Sequence, residues 1–180
     1  MNEYGDNERF SVEVVRDAKL GGEPSTLLIG VNEEGLSTLT SVLLNTRTIK
    51  SGSVFIGSAE WGSNYFTQEQ VYADSFSVQQ LGIRRWTDSE WAAFRWTGVH
   101  KPDSPKFIEM AFESLAERSQ CHGGIWLSDR TIGEIVAELA TLKEKRQEIQ
   151  VAMVPHDGCL RVDDDWVVRG VSALSVRFVD

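Results

Sequence analysis

The spacing of apolar residues changes several times along this chain of 180 residues. Between Phe10 and Val14 apolar and polar residues alternate, which is the period of a strand with one buried face. From Leu36 to Leu44 the apolar residues recur at helical spacing instead. Short segments of both kinds follow one another without strict alternation, so the sequence favours an α+β fold over a doubly wound parallel sheet.

The first half of the chain predicts one helix among several strands. Asn32 is suited to cap a helix over residues 33–45, because acidic residues occupy the first turn, where the helix dipole favours them. Strands are expected at 10–14, at 27–31, at 54–56 and near 76–81. Residues 60–70 are polar and rich in aromatic side chains, and they indicate an exposed loop or a bent strand.

The second half predicts further helices. Thr87 to Glu90 form a capping-box pattern, flanked by Trp86 and Trp91 in the positions of a hydrophobic staple. A second helix is predicted to begin at Ser104-Pro105 and to end before Gly123-Gly124. A third helix is predicted from about Ile132 to Arg146, after a short strand at 125–127, and strands at 148–154, 159–168 and 172–179 complete the chain.

This order predicts one α+β domain over residues 1–180, with mixed or antiparallel sheets packed against three to four amphipathic helices. Each half contains a strand–helix–strand–strand run, although the halves share no evident sequence identity. The chain can therefore also be divided into two similar lobes, residues 1–85 and 86–180, with a border at 82–88.

The charge of the chain restricts its partners. Its 18 basic and 27 acidic residues give a net charge of -9, which argues against binding to nucleic acid phosphates. The first ten residues lack the features of a signal peptide, and no apolar run is long enough to cross a membrane. With two cysteines the chain does not resemble a disulfide scaffold, so we expect a cytoplasmic protein without a membrane partner.

Two cysteines and two histidines are the residues best suited to chemistry. Cys121-His122 and His156 with Cys159 contain the ligand types of a zinc site, or of a cysteine–histidine nucleophilic pair. Adjacent side chains diverge in a strand, and no flanking residues match a known nucleophile motif. We therefore predict buried thiols and loop histidines, with no catalytic residue, metal ligand or cofactor.

Two other segments are candidates for binding a partner. Trp61, Tyr65 and Phe66 lie among glycine and polar residues, where aromatic side chains are suited to anchor an interface. Asp163, Asp164 and Asp165 form the most concentrated acidic stretch, and consecutive strand residues cannot all converge on one cation. The pattern favours a turn or bulge at a strand end, and its functional alternative is an acidic patch that steers a cationic protein toward the chain.

Residues 28–66 resemble part of a known family. The run IGVNEEGLSTLTSVLLNT, the strand SVFIG and then Glu60-Trp61 are similar to the polymorphic-toxin immunity proteins of the Imm32 type. The residues that carry this resemblance are Asn32, Glu34, Gly35, Leu36, Leu39, Leu43 and Leu44. The resemblance implies a cytoplasmic binder that occludes the active site of a toxin and needs neither a catalytic group nor a cofactor.

The sequence thus predicts an immunity protein whose partner is a basic bacterial toxin domain, since a toxin that acts on nucleic acid must itself engage phosphates. Two alternatives remain open. One is a small enzyme dependent on cysteine and histidine or on a metal, and the other is an adaptor subunit of a larger assembly.

Overall fold

The computed structural model describes residues 9–17, 23–49, 53–58, 63–64, 76–78, 80–95, 101–112, 121–145, 147–153, 161–163 and 166–179. Within these ranges the chain forms three helices: α1 (Glu33–Thr46), α2 (Asp88–Ala93) and α3 (Asp129–Lys145). Its strands are β1 (Phe10–Asp17), β2 (Glu23–Val31), β3 (Ser53–Ser58), β4 (Ser63–Asn64), β5 (Phe76–Ser77), β6 (Gln80–Arg85), β7 (Lys106–Phe112), β8 (Cys121–Leu127), β9 (Ile149–Ala152), β10 (Arg161–Asp163), β11 (Trp166–Val171) and β12 (Ala173–Phe178).

The described strands form two sheets, which confirms the predicted α+β fold. A five-stranded sheet has the order β5-β1-β2-β12-β9, and a seven-stranded sheet has the order β10-β11-β7-β8-β6-β3-β4. Each sheet is mixed, because β2 and β12 run parallel in the first and β6 and β8 run parallel in the second. The other strand pairs are antiparallel.

Helices α1 and α3 contact each other and both sheets, and residues of both helices and both sheets form one apolar core. The inward side chains of β2, Leu27 and Ile29, share this core with Ile125 of β8. The longer helices contribute their apolar faces, which include Leu39 of α1 and Ile135 of α3. None of the described helices is long and apolar enough to span a membrane.

The two halves of the chain repeat one succession of elements and exchange strands. An antiparallel hairpin (β1-β2 or β7-β8) is followed by a long helix (α1 or α3) and a strand (β3 or β9) that pairs with the last strand of the same half. The last strand of each half, β6 or β12, lies parallel to the hairpin of the other half. Residues 1–85 and 86–180 therefore both supply strands to each sheet and share one core.

Equivalent backbone hydrogen bonds support this repeat. Asn32 N donates to Arg9 O at 3.2 Å in the first half, and Ser128 N donates to Pro105 O at 3.2 Å in the second. Asn32 and Ser128 are also the residues whose side-chain oxygens accept from the first turn of α1 and α3, respectively. The two pairs are offset by the same number of residues, since 128 - 32 and 105 - 9 are both 96. Residues 96 positions apart are therefore structural equivalents through the hairpin and the long helix.

The motif that carries the family resemblance builds the start of α1. Asn32 Oδ1 accepts from Gly35 N at 2.9 Å and from Arg9 N at 3.0 Å, so one side chain caps the helix and holds the start of β1. A Cβ on Gly35 would lie 1.9 Å from Arg9 O. Glycine is required there because the two backbones approach closely.

The N-cap of the predicted capping box and the staple at α2 are confirmed. Thr87 Oγ1 accepts from Glu90 N at 3.2 Å, and the rings of Trp86 and Trp91 lie 5.6 Å apart. Both tryptophans also pack near Phe107, which projects from the outer face of β7. This short helix therefore covers part of the seven-stranded sheet on the side away from the core.

The helix predicted from Ser104-Pro105 to Gly123 is wrong, because residues 106–112 form strand β7. Both faces of β7 are covered: Ile108 and Met110 face the core, and Phe107 stacks on Trp126 at 5.1 Å. A strand buried on both faces loses its alternation of apolar and polar residues, and its sequence then also fits a helical period.

Gly123 and Gly124 do not terminate a helix but lie within β8. A Cβ on Gly123 would lie 2.2 Å from Met110 Sδ, and one on Gly124 would lie 2.6 Å from the Trp126 ring. The larger side chains thus occupy the space above each glycine. The single strand predicted over 159–168 is also wrong, because β10 and β11 are separate antiparallel strands.

Candidate functional site

Of the aromatic segment proposed for binding, the structure describes only residues 63–64, which form β4 at one edge of the seven-stranded sheet. Trp61, Tyr65 and Phe66 fall outside the described residues. Between them, β4 extends the sheet by pairing with the end of β3, with Gly57 opposite Asn64. The chain thus supplies its own short strand to this edge.

Strand β10, which contains the first residue of the acidic stretch, lies at the opposite edge. Asp163 ends β10 and stands opposite Trp166 of β11 in the strand register, whereas Asp164 and Asp165 fall outside the described residues. Six strand spacings separate β10 from β4. At about 4.8 Å per spacing, the two strands are about 29 Å apart across the sheet. A standard interface of about 800 Å² per partner is about 30 Å across, so one partner reaches both strands only by covering the width of the sheet.

The cysteine and histidine candidates do not form a site within the described residues. Cys121 is buried and faces the core, and burial raises the pKa of its thiol far above the ordinary value. His122 follows it in β8 and is half-buried on the other face of the strand. His156 and Cys159 fall outside the described residues.

A thiol that stays protonated is a poor nucleophile and a poor metal ligand, because both roles need the thiolate. The described side chains also contain no group of three or more histidine, cysteine or acidic residues placed to hold a metal ion.

A groove of about 330 Å³ lies between α3 and β9, near the start of β7. We call it the α3–β9 groove; it is lined by Lys106, Glu134, Ile135, Glu138, Gln150, Val151 and Ala152. Its polar groups include two carboxylates one helical turn apart and one lysine ammonium. Arg130 Nε contacts Glu134 Oε1 at 3.3 Å, although both side chains are largely exposed. Such an exposed pair contributes little to stability.

The same place in the first half of the chain is packed with apolar side chains. Phe10, the equivalent of Lys106, is completely buried, and Val42, the equivalent of Glu138, is also buried in the core. Lys106 is half-buried and Glu138 is exposed. The second half thus has an open polar groove at a position where the first half has part of its core.

Strand β9 borders the groove and ends the five-stranded sheet. Met153 N donates to Ser172 O at 2.8 Å, one position beyond the pairing of Ala152 with Ala173. In an antiparallel pair the residues alternate between hydrogen-bonded and non-hydrogen-bonded positions. Gln150 and Ala152 therefore direct their backbone N–H and C=O groups away from β12, toward the edge of the sheet.

No pattern in the sequence predicts that the residues of this groove lie together. Its members come from three elements, and Lys106 lies in the strand that was predicted as a helix. One signal was present: Glu138 interrupts the apolar face of α3 that Ile135 and Leu139 continue. An interruption of this kind is usually assigned to the solvent side of a helix, so it did not indicate a site.

No family model, curated protein or solved structure matches this chain.

Proposed function

We propose that this protein is a cytoplasmic immunity protein that binds a basic bacterial toxin domain and occludes its active site. The observation that carries the proposal is its net charge. The sequence has 27 acidic and 18 basic residues, a net charge of -9. Among the described residues the exposed acidic side chains are matched in number by exposed basic ones. A net charge of this sign attracts a cationic partner and raises the rate of encounter.

Two further points support a binding role. Residues 28–66 resemble immunity proteins, which act by binding alone. Among the described residues, Cys121 is buried and protonated, so it does not supply a nucleophile.

The proposal is tested with the C-terminal domain of the protein encoded immediately upstream. We expect this domain to arrest bacterial growth when expressed alone, and co-expression of the present chain to restore growth. The purified proteins should form a one-to-one complex by light scattering. An upstream protein without toxicity, or toxicity unaffected by this chain, contradicts the proposal.

The acidic stretch makes a separate prediction for the same pair of proteins. Replacing Asp163, Asp164 and Asp165 by alanine should lower the association rate about tenfold at low salt and flatten its salt dependence. Stopped-flow fluorescence measures both quantities. The matched control replaces Asp88, Asp103 and Glu144 by alanine, which removes the same charge elsewhere. Equal effects in the two variants would show that net charge, and not this stretch, guides association.

A further inference from the structure

We propose that the α3–β9 groove binds an extended segment of the partner, which adds to β9 as an antiparallel strand and presents basic side chains to Glu134 and Glu138. The inference depends on the proposed function only for the origin of this segment, a basic partner protein.

The first support is the edge of the sheet. Gln150 and Ala152 direct backbone N–H and C=O groups away from β12, and β9 is the last strand of its sheet among those described. An extended peptide can hydrogen-bond to such groups and continue the sheet. Its main chain provides affinity, and the side chains of alternate residues provide specificity.

The second support is the equivalent edge in the other half of the chain. There β3 occupies the position of β9, and β4 pairs antiparallel with its last residues, Gly57 and Ser58. The fold therefore accepts an additional antiparallel strand at this position. At β9 the described part of the chain supplies no such strand, and residues 159–160, the equivalents of β4, fall outside the described residues.

The third support is the chemistry of the groove wall. Glu134 and Glu138 are four residues apart on α3, which places them about 6 Å apart along the helix axis. Alternate residues of a strand are about 6.8 Å apart on one face. A segment with basic residues at positions i and i+2 therefore matches the spacing of the two carboxylates. Lys106 lines the same groove and Arg130 contacts Glu134 at 3.3 Å, so the segment has to replace Arg130 at Glu134.

A second copy of this chain is a less suitable occupant. Pairing of β9 with itself would bring the Glu134 and Glu138 side chains of both copies together. It would also associate two chains that each carry a net charge of -9. Like charges at such a distance oppose association, whereas a basic segment is attracted by the same groups.

The test uses the whole protein and a synthetic peptide, so its result does not depend on the identity of the toxin. The probe is a capped peptide of about eight residues in which lysine alternates with threonine, a usual strand length. We expect binding with a dissociation constant below about 1 mM. In hydrogen-exchange NMR, the amides of Gln150 and Ala152 should exchange at least about tenfold more slowly with the peptide bound, because they then donate to its carbonyl groups.

Two control peptides separate the contributions. One has glutamate in place of lysine and should not bind. The other keeps lysine but carries N-methyl groups on alternate backbone nitrogens, and it should bind at least tenfold more weakly because it cannot pair with β9.

Matched variants test the groove and the strand edge. Gln150→Pro removes an outward backbone N–H, and an edge strand tolerates proline at such a position. This variant should not bind the peptide. The control Gln150→Ala keeps the N–H and should bind the peptide normally. The double variant Lys106→Phe with Glu138→Val places the equivalent first-half residues in the groove, and it should fold and fail to bind.

No binding of the lysine peptide, equal binding of the glutamate peptide, or exchange protection elsewhere on the chain overturns the inference. A doubled mass in light scattering that Gln150→Pro abolishes overturns it in favour of a second copy. Toxin neutralisation that persists in Gln150→Pro leaves the proposed function intact and rejects this groove as its site. Peptide binding, combined with an upstream protein that is not toxic, would reject the immunity role and retain the groove.

Discussion

Cys121 shows how the surroundings of one residue decide its chemistry. Its thiol lies on the inward face of β8 with Ile125 and Leu127, and it is 2% exposed. Burial disfavours the thiolate, so the pKa of this thiol is raised from an ordinary value near 9.0. The sequence prediction of a buried thiol is confirmed for Cys121, and the cause is the alternation of strand residues between two faces.

This raised pKa predicts a pH dependence of stability. In the unfolded chain the Cys121 thiol ionises above about pH 9, whereas in the folded protein it stays protonated. Its contribution to stability is therefore complete below pH 9 and is lost as the pH rises further. We expect the free energy of unfolding to fall by up to about 1.4 kcal/mol per pH unit above pH 9.

Urea denaturation at pH 8, 9 and 10 measures this loss. The control is Cys121→Ala, which is less stable at every pH because of the cavity it leaves, but lacks the slope due to this thiol. Parallel pH profiles for the two proteins would contradict the prediction. In Cys159→Ser, a thiol reagent should label Cys121 only after unfolding.

At the scale of the elements, Arg85 joins parts of the chain that come from different halves. It extends from β6, and its Nε and Nη2 donate to the two carboxylate oxygens of Asp129, at 2.6 and 2.8 Å, at the start of α3. Its Nη1 donates to Ile49 O at 3.1 Å, beyond the end of α1. One guanidinium thus fixes the positions of both long helices relative to the seven-stranded sheet.

We expect Arg85→Lys to lower the free energy of unfolding by about 1 kcal/mol, because an ammonium group cannot reproduce the two parallel hydrogen bonds and the third bond to Ile49. Urea denaturation checks this value. The neighbouring Arg84→Lys is the matched control: Arg84 approaches Glu90 at 3.8 Å and is 41% exposed. The control should lose less than about 0.5 kcal/mol, and equal losses would contradict the role given to Arg85.

Elements with a clear period or cap could be predicted from the sequence. Residues 33–45 and the start of α2 agree with the structure within a residue or two, because Asn32 and Thr87 provide caps of known type. Strand β7 could not be predicted, since Phe107 on its outer face is covered by aromatic side chains from distant positions. The α3–β9 groove is formed by residues of α3, β7 and β9, so short-range sequence patterns could not predict it either.

At the scale of the whole molecule, the repeat of the two halves is clear in the topology and obscure in the sequence. Equivalent core positions retain apolar character at Ile29 and Ile125 but differ at Phe10 and Lys106. Because β12 pairs with β2 and β6 pairs with β8, side chains of both halves share one core, and the two halves need not carry identical residues to fill it.

This exchange predicts that neither half is stable alone. Without β12, the parallel partner of β2 is missing, and Leu27 and Ile29 lose much of their cover. Without β6, strand β8 loses its parallel partner in the same way. We expect fragments 1–98 and 99–180 to unfold without cooperativity when separate, and an equimolar mixture to regain cooperative unfolding with the circular dichroism of the intact chain.

Thermal denaturation of each fragment, of the mixture and of the intact chain, with masses from light scattering, tests this expectation. A fragment that folds cooperatively as a monomer would show that half of the strands suffice for a core, contrary to the interleaved topology. A fragment that folds only as a homodimer agrees with that topology, because a second copy then supplies equivalents of the missing strands. In that case the parallel pairing is the contact on which both folding and dimerisation depend, and a charged replacement such as Ile29→Asp should abolish both at once.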